Sequence, residues 1–459
     1  MPKISRYNHF HPWQDGYVLA YNALSGAVAL MTQENLEVYQ QLAAKLERNP
    51  SPELTESESE LLKQLEYGCF VHTGDVDEIT RLKLAHNLSR FNRTGLGLVI
   101  APTMACNMAC TYCFEKHTAT KMSPKVIEAV IEFVEKQARQ IGALDVGWYG
   151  GEPLLALDVI EDLTESFLDL GQEYKFDYSS SIVTNGYLLT PETVDRLMGL
   201  RVFSAQVTLD GPARLHNTKR PLRNGGDSFD RIIVNVQAAV ERKMQIGVRV
   251  NVDKSFTVDD ISELLDELVE AGLRDKVGVY FGMVEAASQV CSNIAEACYE
   301  VADFSQIEVQ YYHELLQRGF VIQKLPSPIS TFCMTQTVNA FLVDPEGWLY
   351  RCWNDVGDQS KASGTIMDEI NLLHPNFTRL FEYTPFEDSR CLECSVLPVC
   401  MGGCPARRVD RGLSDEQMCE GWKHNLQPML EIIAVSRQQE MQRRQQAQQA
   451  SEVRTAGKE

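Results

Sequence analysis

The sequence predicts an α/β fold: a parallel sheet with crossover helices, open or curled into a partial barrel, set between a small leading module and a cysteine-rich third unit. From residue 95, short β-rich runs alternate with amphipathic helical runs about six times. Before that point the chain instead shows a hairpin followed by two helices. Beyond residue 325, cysteines and glycines replace long periodic helices. At roughly 150 residues per domain, 459 residues agree with about three such units.

In the leading module, GYVLAYNALSGAVALM reads as a hairpin turning near Ser25 and Gly26, and NLEVYQQLAAKL and SESELLKQLEYG read as helices. Two strands and two helices make a winged-helix-like module over residues 1–92, in which the charged stretch Asp77 to Arg93 is a helical linker. The middle unit, residues 93–290, has GLGLVIAP, DVGWYG, SSIVTN, FSAQVTLD, IGVRVNVD and VGVYFGMV as strands. Runs such as VIEAVIEFVEKQARQ and DISELLDELVEAG are its helices. Ligands of such sheets sit at the carboxyl ends of the strands, so the loops directly after them are where chemistry is expected. The third unit covers residues 291–435, and the polar, Gln-rich stretch 436–459 is expected to be a frayed helix running into disorder.

A net charge of -20 argues against a nucleic-acid groove. The amino terminus lacks the basic start and apolar run of a signal peptide, and no apolar stretch of about eighteen residues is present, so the expectation is a cytoplasmic protein with no membrane partner. Thirteen cysteines in a reducing compartment point to metal binding rather than disulfides. All but Cys69, Cys291 and Cys298 fall into two groups, and Cys69 reads as a buried small hydrophobe.

The first group is CNMACTYC, directly after the strand GLGLVIAP. Its spacing C-x3-C-x2-C lets Cys106, Cys110 and Cys113 ligate three irons of a four-iron four-sulfur cluster and leaves one iron open. A zinc knuckle is the competing reading, but structural zinc sites close at four ligands, and the nearest histidine, His117, is not at ligand spacing. Downstream, WYGGEP (Trp148 to Pro153), TNG (Thr184 to Gly186) and TLDGPARLHNTKR each follow a predicted strand.

In this order the motifs resemble the radical S-adenosylmethionine superfamily over about residues 95–285. The resemblance implies a partial (β/α)6 TIM-type barrel that binds S-adenosylmethionine at the open iron and splits it to a 5′-deoxyadenosyl radical. It makes Cys106, Cys110 and Cys113 both metal ligands and catalytic. It further implies cofactor contacts from Tyr112 beside the adenine, from Gly150, Gly151, Glu152 and Pro153 near the methionine amino group, and from Asn185, Thr208 and Arg220. The glycines would permit close backbone approach, and Glu152 would accept hydrogen bonds from the ammonium.

The second group, Cys333, Cys352, Cys391, Cys394, Cys400, Cys404 and Cys419, has a C-x13-G-x4-C segment and then C-x2-C-x5-C-x3-C. It resembles the SPASM extension of peptide-modifying radical enzymes, while a pair of zinc ribbons remains the alternative. The resemblance implies two auxiliary clusters, hence three four-iron four-sulfur clusters in all. Cys391, Cys394, Cys400 and Cys419 would hold one, and Cys333, Cys352 and Cys404 the other. Its missing ligand is either an open iron for a substrate thiolate, or Cys291, Cys298 or a non-cysteine group.

The nearest resemblance is to maturases of ribosomally made peptides, with the leading module taking up a leader peptide as an added strand. The implied activity is a thioether from a cysteine sulfur to a carbon, made on a precursor peptide with a leader and fed by an external one-electron reductant of flavodoxin or ferredoxin type. Carbon-carbon crosslinking uses similar machinery. An anaerobic sulfatase-maturating enzyme is the rival, but its base would follow the cysteine aligned with Cys352, where this chain has Trp353, with Asp355 close by. A non-catalytic metal-binding peptide adaptor is the rival from another class; an open iron facing GGEP argues against it.

Overall fold

The computed structural model describes residues 2–49, 51–73, 77–286, 294–410 and 417–456. Six parallel strands follow one another in chain order: β6 (Gly95–Ile100), β7 (Ala143–Trp148), β8 (Asp177–Thr184), β9 (Val202–Thr208), β10 (Gln245–Val252) and β11 (Val277–Met283). These are the six strands expected from the sequence, and β6 does not close onto β11 among the described residues, so the barrel is partial. Crossover helices α4 (Pro124–Ala138), α5 (Leu157–Tyr174), α6 (Pro191–Gly199), α7 (Ala213–Lys219), α8 (Phe229–Glu241) and α9 (Val258–Glu270) cover the outer face. α4 shows why they form: Ser123 caps the first turn, Pro124 occupies its first position, and Val126, Val130, Val134 and Ala138 bury one stripe against the sheet.

The leading module is richer than a hairpin and two helices. Strands β2 (Asn8–Pro12), β3 (Tyr17–Asn22) and β4 (Ala27–Thr32) form an antiparallel sheet, and β1 (Pro2–Ile4) pairs with β5 (Val71–Thr73). Helices α1 (Gln33–Arg48), α2 (Glu56–Tyr67) and the linker helix α3 (Glu78–Arg90) lie where expected. Tyr7, Leu19 and Tyr21 of this module share one buried cluster with Leu397, Met401 and Leu430, so the module packs onto the cysteine-rich unit.

That unit also joins the barrel. β12 (Ala340–Val343) adds in parallel to the outer edge of β6, and β13 (Leu349–Tyr350) returns antiparallel to it. Helix α10 (Val301–Gln317) packs against a long last helix, α15 (Trp422–Ala456). Between them come four short helices, α11 (Pro375–Phe381), α12 (Ser389–Leu392), α13 (Leu397–Cys400) and α14 (Pro405–Asp410), which carry or flank the cysteines. The Gln-rich stretch expected to fray is helical to Ala456. Gln, Arg, Ala and Glu are good helix formers, so the backbone continues the helix past the last core contacts. No described helix is long and apolar enough to cross a membrane.

Candidate active site

Alternation along the strands sets what faces the barrel interior. On β10, Ile246, Val248, Val250 and Val252 are buried against the helices, which turns Arg249 and Asn251 inward. On β9 the same period turns Gln206 and Thr208 inward. These four line a cavity of about 460 Å³, with the thiols of Cys106, Cys110 and Cys113 on one wall. Cys404, Trp353 and Asn354 of the cysteine-rich unit line the same cavity.

The three-cysteine loop is held by backbone bonds: Met104 N donates to Thr120 O (3.1 Å), Ala109 N to Pro221 O (2.9 Å) and Thr111 N to Lys219 O (3.0 Å). Behind it sit the two glycines after β7. A Cβ on Gly150 would lie 2.5 Å from Thr103 O, and one on Gly151 would lie 2.4 Å from Ala105 O. The close approach those glycines permit is therefore to the cysteine loop itself.

Glu152 is fully buried, and its carboxylate accepts from Leu154 N (3.1 Å), Thr184 Oγ1 (2.7 Å) and Asn185 N (2.8 Å). It ties the end of β7 to the end of β8, and neither Glu152 nor the buried Pro153 lines the cavity. Asn185 does, with Nδ2 donating to Asn107 Oδ1 at 2.7 Å. Tyr112 is a hub. Its hydroxyl donates to Asp210 and accepts from Arg220 Nη1 (2.6 Å) and Asn251 Nδ2 (3.1 Å).

Burial pushes the thiols of Cys106 and Cys113 up to about 12 and raises that of Cys110. They are neutral until a metal displaces their protons. His117 Nε2 stands 3.3 Å from Cys113 Sγ while its Nδ1 donates to Met104 O at 3.2 Å, which leaves Nε2 of the neutral ring to accept from the thiol. Six further thiols form two sets. Cys391, Cys394 and Cys400 are near neighbours in one set, and Cys333, Cys352 and Cys404 in the other. Cys298 Sγ donates to Ile294 O at 3.4 Å, and Cys291 lies outside the described residues.

The donor set fits an iron-sulfur cluster with a cofactor beside it. Three thiols face one cavity, yet among the described residues no three Cys, His, Asp or Glu side chains converge closely enough for a single ion. Two buried nitrogen atoms at the loop, Asn107 Nδ2 and Arg220 Nε, lack a hydrogen-bond partner. The Radical SAM superfamily profile matches residues 100–268. The chain carries a radical SAM domain.

A radical SAM enzyme works with S-adenosylmethionine and an iron-sulfur cluster, and the cysteine-rich carboxyl-terminal unit of this chain fits auxiliary clusters. Its relatives include the cysteine-type anaerobic sulfatase-maturating enzyme of Clostridium perfringens (strain 13 / Type A), 25% identical over 72% of this chain and 94% of the relative. Another is the mycofactocin maturase MftC of Mycolicibacterium smegmatis, 24% identical over 70% and 81%. Among solved structures, native anSMEcpe with bound AdoMet and Cp18Cys peptide aligns with a TM-score of 0.59 at 21% identity, over 75% of this chain and 99% of that one. Streptococcus suis SuiB bound to the precursor peptide SuiA aligns with a TM-score of 0.51 at 18% identity, over 88% and 95%. Both structural likenesses concern the fold.

Several residues of the radical SAM cavity carried no signal in the sequence. Glu115, two positions past Cys113, is buried beside Tyr149, and burial pushes its carboxyl up to about 7 against the lowering effect of the Tyr149 hydrogen bond. Arg407 donates to Glu285 after β11 and to Glu420 (3.0 Å), so it links barrel and cysteine-rich unit at the cavity wall. Only knowledge of which loops meet in space would have singled these out.

Proposed function

We propose that this radical SAM enzyme modifies a ribosomally made peptide by joining a cysteine sulfur to a carbon as a thioether. The observation that carries the reading is the single cavity that has Cys106, Cys110 and Cys113 on one wall and Cys404 with Trp353 on another. A peptide lying in it can present a hydrogen-bearing carbon to the first group and a thiol to the second. Cys106, Cys110 and Cys113 would hold the first cluster. Cys391, Cys394, Cys400 and Cys419 would hold an auxiliary one, and Cys333, Cys352 and Cys404 the other. When bound, the cofactor and first cluster supply a hydrogen-abstracting radical.

The chain's own residues do the rest. Tyr112, Asn185, Thr208 and Arg220 bind and orient the cofactor, with Arg220 anchored by Asp210 so that its charge is fixed in place. Glu152 holds the ends of β7 and β8 together and so keeps the cysteine loop seated. Apolar walls from Tyr149, Phe114 and Met283 exclude water from a reactive carbon centre. The leading module offers an edge: β4 pairs with β3 alone among the described residues, so its outer side is open to a leader strand.

The peptide class draws support from the comparisons, among them a mycofactocin maturase and a neighbour solved with a precursor peptide. Formylglycine formation, as in the sulfatase-maturating relatives, is disfavoured by the residues after Cys352. Trp353 and Asn354 line the cavity, whereas Asp355 is held in an ion pair with Arg379 at 2.9 Å and does not line it.

The test is an anaerobic preparation given cofactor and a one-electron reductant of flavodoxin type, first alone and then with a cysteine-bearing precursor peptide. The expected result is 5′-deoxyadenosine, and a peptide lighter by two hydrogens with one thiol protected from alkylation. A peptide whose cysteine sulfur is lost and replaced by an aldehyde oxygen, or one that loses hydrogens with every thiol still alkylated, would replace the thioether reading.

A further inference from the structure

Arg351 precedes Cys352 at the end of β13 and is fully buried. Its guanidinium donates to four backbone carbonyls: Ala340, Met334 (3.1 Å), Thr335 (3.2 Å) and Thr337. Three of these belong to the tight turn that follows Cys333, so one side chain clamps the loop bearing Cys333 to the segment after β13 that carries Cys352. The ring of Phe377 lies 4.1 Å from the guanidinium carbon and that of Phe341 lies 5.5 Å from it. No described carboxylate pairs with it, and its Nε has no partner.

A buried cation without a counter-anion is a costly arrangement, and carbonyl dipoles and aromatic faces spread the charge without cancelling it. A guanidinium stays charged at neutral pH, and its bonds to the turn after Cys333 hold that charge beside the Cys333 loop, one residue before Cys352. Cys333 is a near neighbour of Cys352 and Cys404. Among the described residues, these three thiols, once deprotonated around a metal cluster, would supply the missing negative charge.

We infer that Arg351 is the resident counter-charge of the Cys333, Cys352 and Cys404 site, a positioning residue that both shapes the loop carrying Cys333 and electrostatically favours the reduced state of a cluster bound there. The inference rests on the proposed reading of those three cysteines as cluster ligands. A planar fork reaching four carbonyls is what arginine offers and lysine does not, while lysine keeps the charge. Cluster potentials follow local charge, so losing this cation makes reduction harder.

The experiment uses full-length protein with Cys106, Cys110 and Cys113 replaced by alanine, so that auxiliary clusters alone are read. It compares Arg351, Arg351→Lys and Arg351→Met by iron content and by redox titration followed with electron paramagnetic resonance. The expected result is two auxiliary signals in the parent. One of them shifts to lower potential in Arg351→Met and by less in Arg351→Lys, while the other stays fixed as an internal reference. Loss of that one cluster from Arg351→Met, with retention in Arg351→Lys, supports the same conclusion. Unchanged potentials in both variants overturn it, as does loss of the cluster from both variants with the reference signal intact, which marks a clamp without an electrostatic role. A parent that binds only one auxiliary cluster overturns instead the reading of Cys333, Cys352 and Cys404 as ligands.

Discussion

Tyr149 meets Trp353 edge to face, their ring centroids 4.4 Å apart. Tyr149 belongs to the loop after β7 and Trp353 directly follows Cys352, so this contact is where barrel and cysteine-rich unit close the wall of the cavity. Such a ring pair is worth roughly 1 kcal/mol, too little to hold the fold but enough to keep one wall in place. Trp353→Ala should therefore leave peptide-independent 5′-deoxyadenosine formation within about threefold, while product per 5′-deoxyadenosine falls about tenfold or more. Trp353→Phe should restore most of the coupling. Mass spectrometry of product against chromatography of 5′-deoxyadenosine measures both.

Glu115 makes stability depend on pH. Its carboxyl is raised from 4.5 to about 7, mainly by burial, so between these values the folded chain keeps a proton that the unfolded chain releases. Stability from this group is thus fully present below pH 4.5 and is lost as pH rises through 7, to a limit of about 3 kcal/mol. Glu115→Gln, which cannot ionise, should melt above the parent at pH 8, and the gap should close at pH 5. Thermal unfolding of cluster-free protein at the two pH values checks this, and a gap that does not vary with pH would contradict it.

The hub at Tyr112 predicts unequal losses. Arg220 is buried with Asp210 as its ion-pair partner and Tyr112 as its hydrogen-bond acceptor, so Arg220→Lys breaks a charged network. Tyr112→Phe removes one hydroxyl and leaves the Asp210 pair. Cofactor affinity, by equilibrium dialysis of the reconstituted protein, should fall by about tenfold or more for Arg220→Lys and about fivefold for Tyr112→Phe. Equal effects would mean that Arg220 acts only through the tyrosine.

What the sequence made legible follows the range of the signals involved. The six barrel strands were readable because each is a local apolar run bounded by turns, and the cysteine loop because a short spacing after a strand is itself a local pattern. The joining of β12 to β6 was not, since AFLV is four residues long and its partner lies far away in the chain. β2 was missed for a different reason: NHFHP is polar and ends in proline, so only its pairing with β3 makes it a strand. The roles of Glu115 and Arg351 depend on complete burial, which residue identity does not reveal for a carboxylate or a guanidinium. Glu152 was recognised by its motif, but its three protein donors come from β8 and its own loop, contacts that no motif encodes.

Asp355 separates the two chemistries left open by the relatives. It is the acid nearest to Cys352 in the chain, the region where a sulfatase-maturating enzyme would need a base. Here Arg379 Nη2 donates to it at 2.9 Å, and Arg379 Nη1 donates to Asp410 at 2.7 Å, which completes a bridge from α11 to α14 outside the cavity. Burial raises the Asp355 carboxyl and Arg379 opposes that shift, as expected of a group placed for structure. Asp355→Asn keeps the shape and removes one charge of a partly enclosed pair, so it should lower the melting temperature by a few degrees, on the order of 1 kcal/mol. Peptide product should stay within about twofold of the parent. If Asp355→Asn instead forms 5′-deoxyadenosine normally while product vanishes, Asp355 is moving a substrate proton, and the chemistry belongs with the sulfatase-maturating relatives.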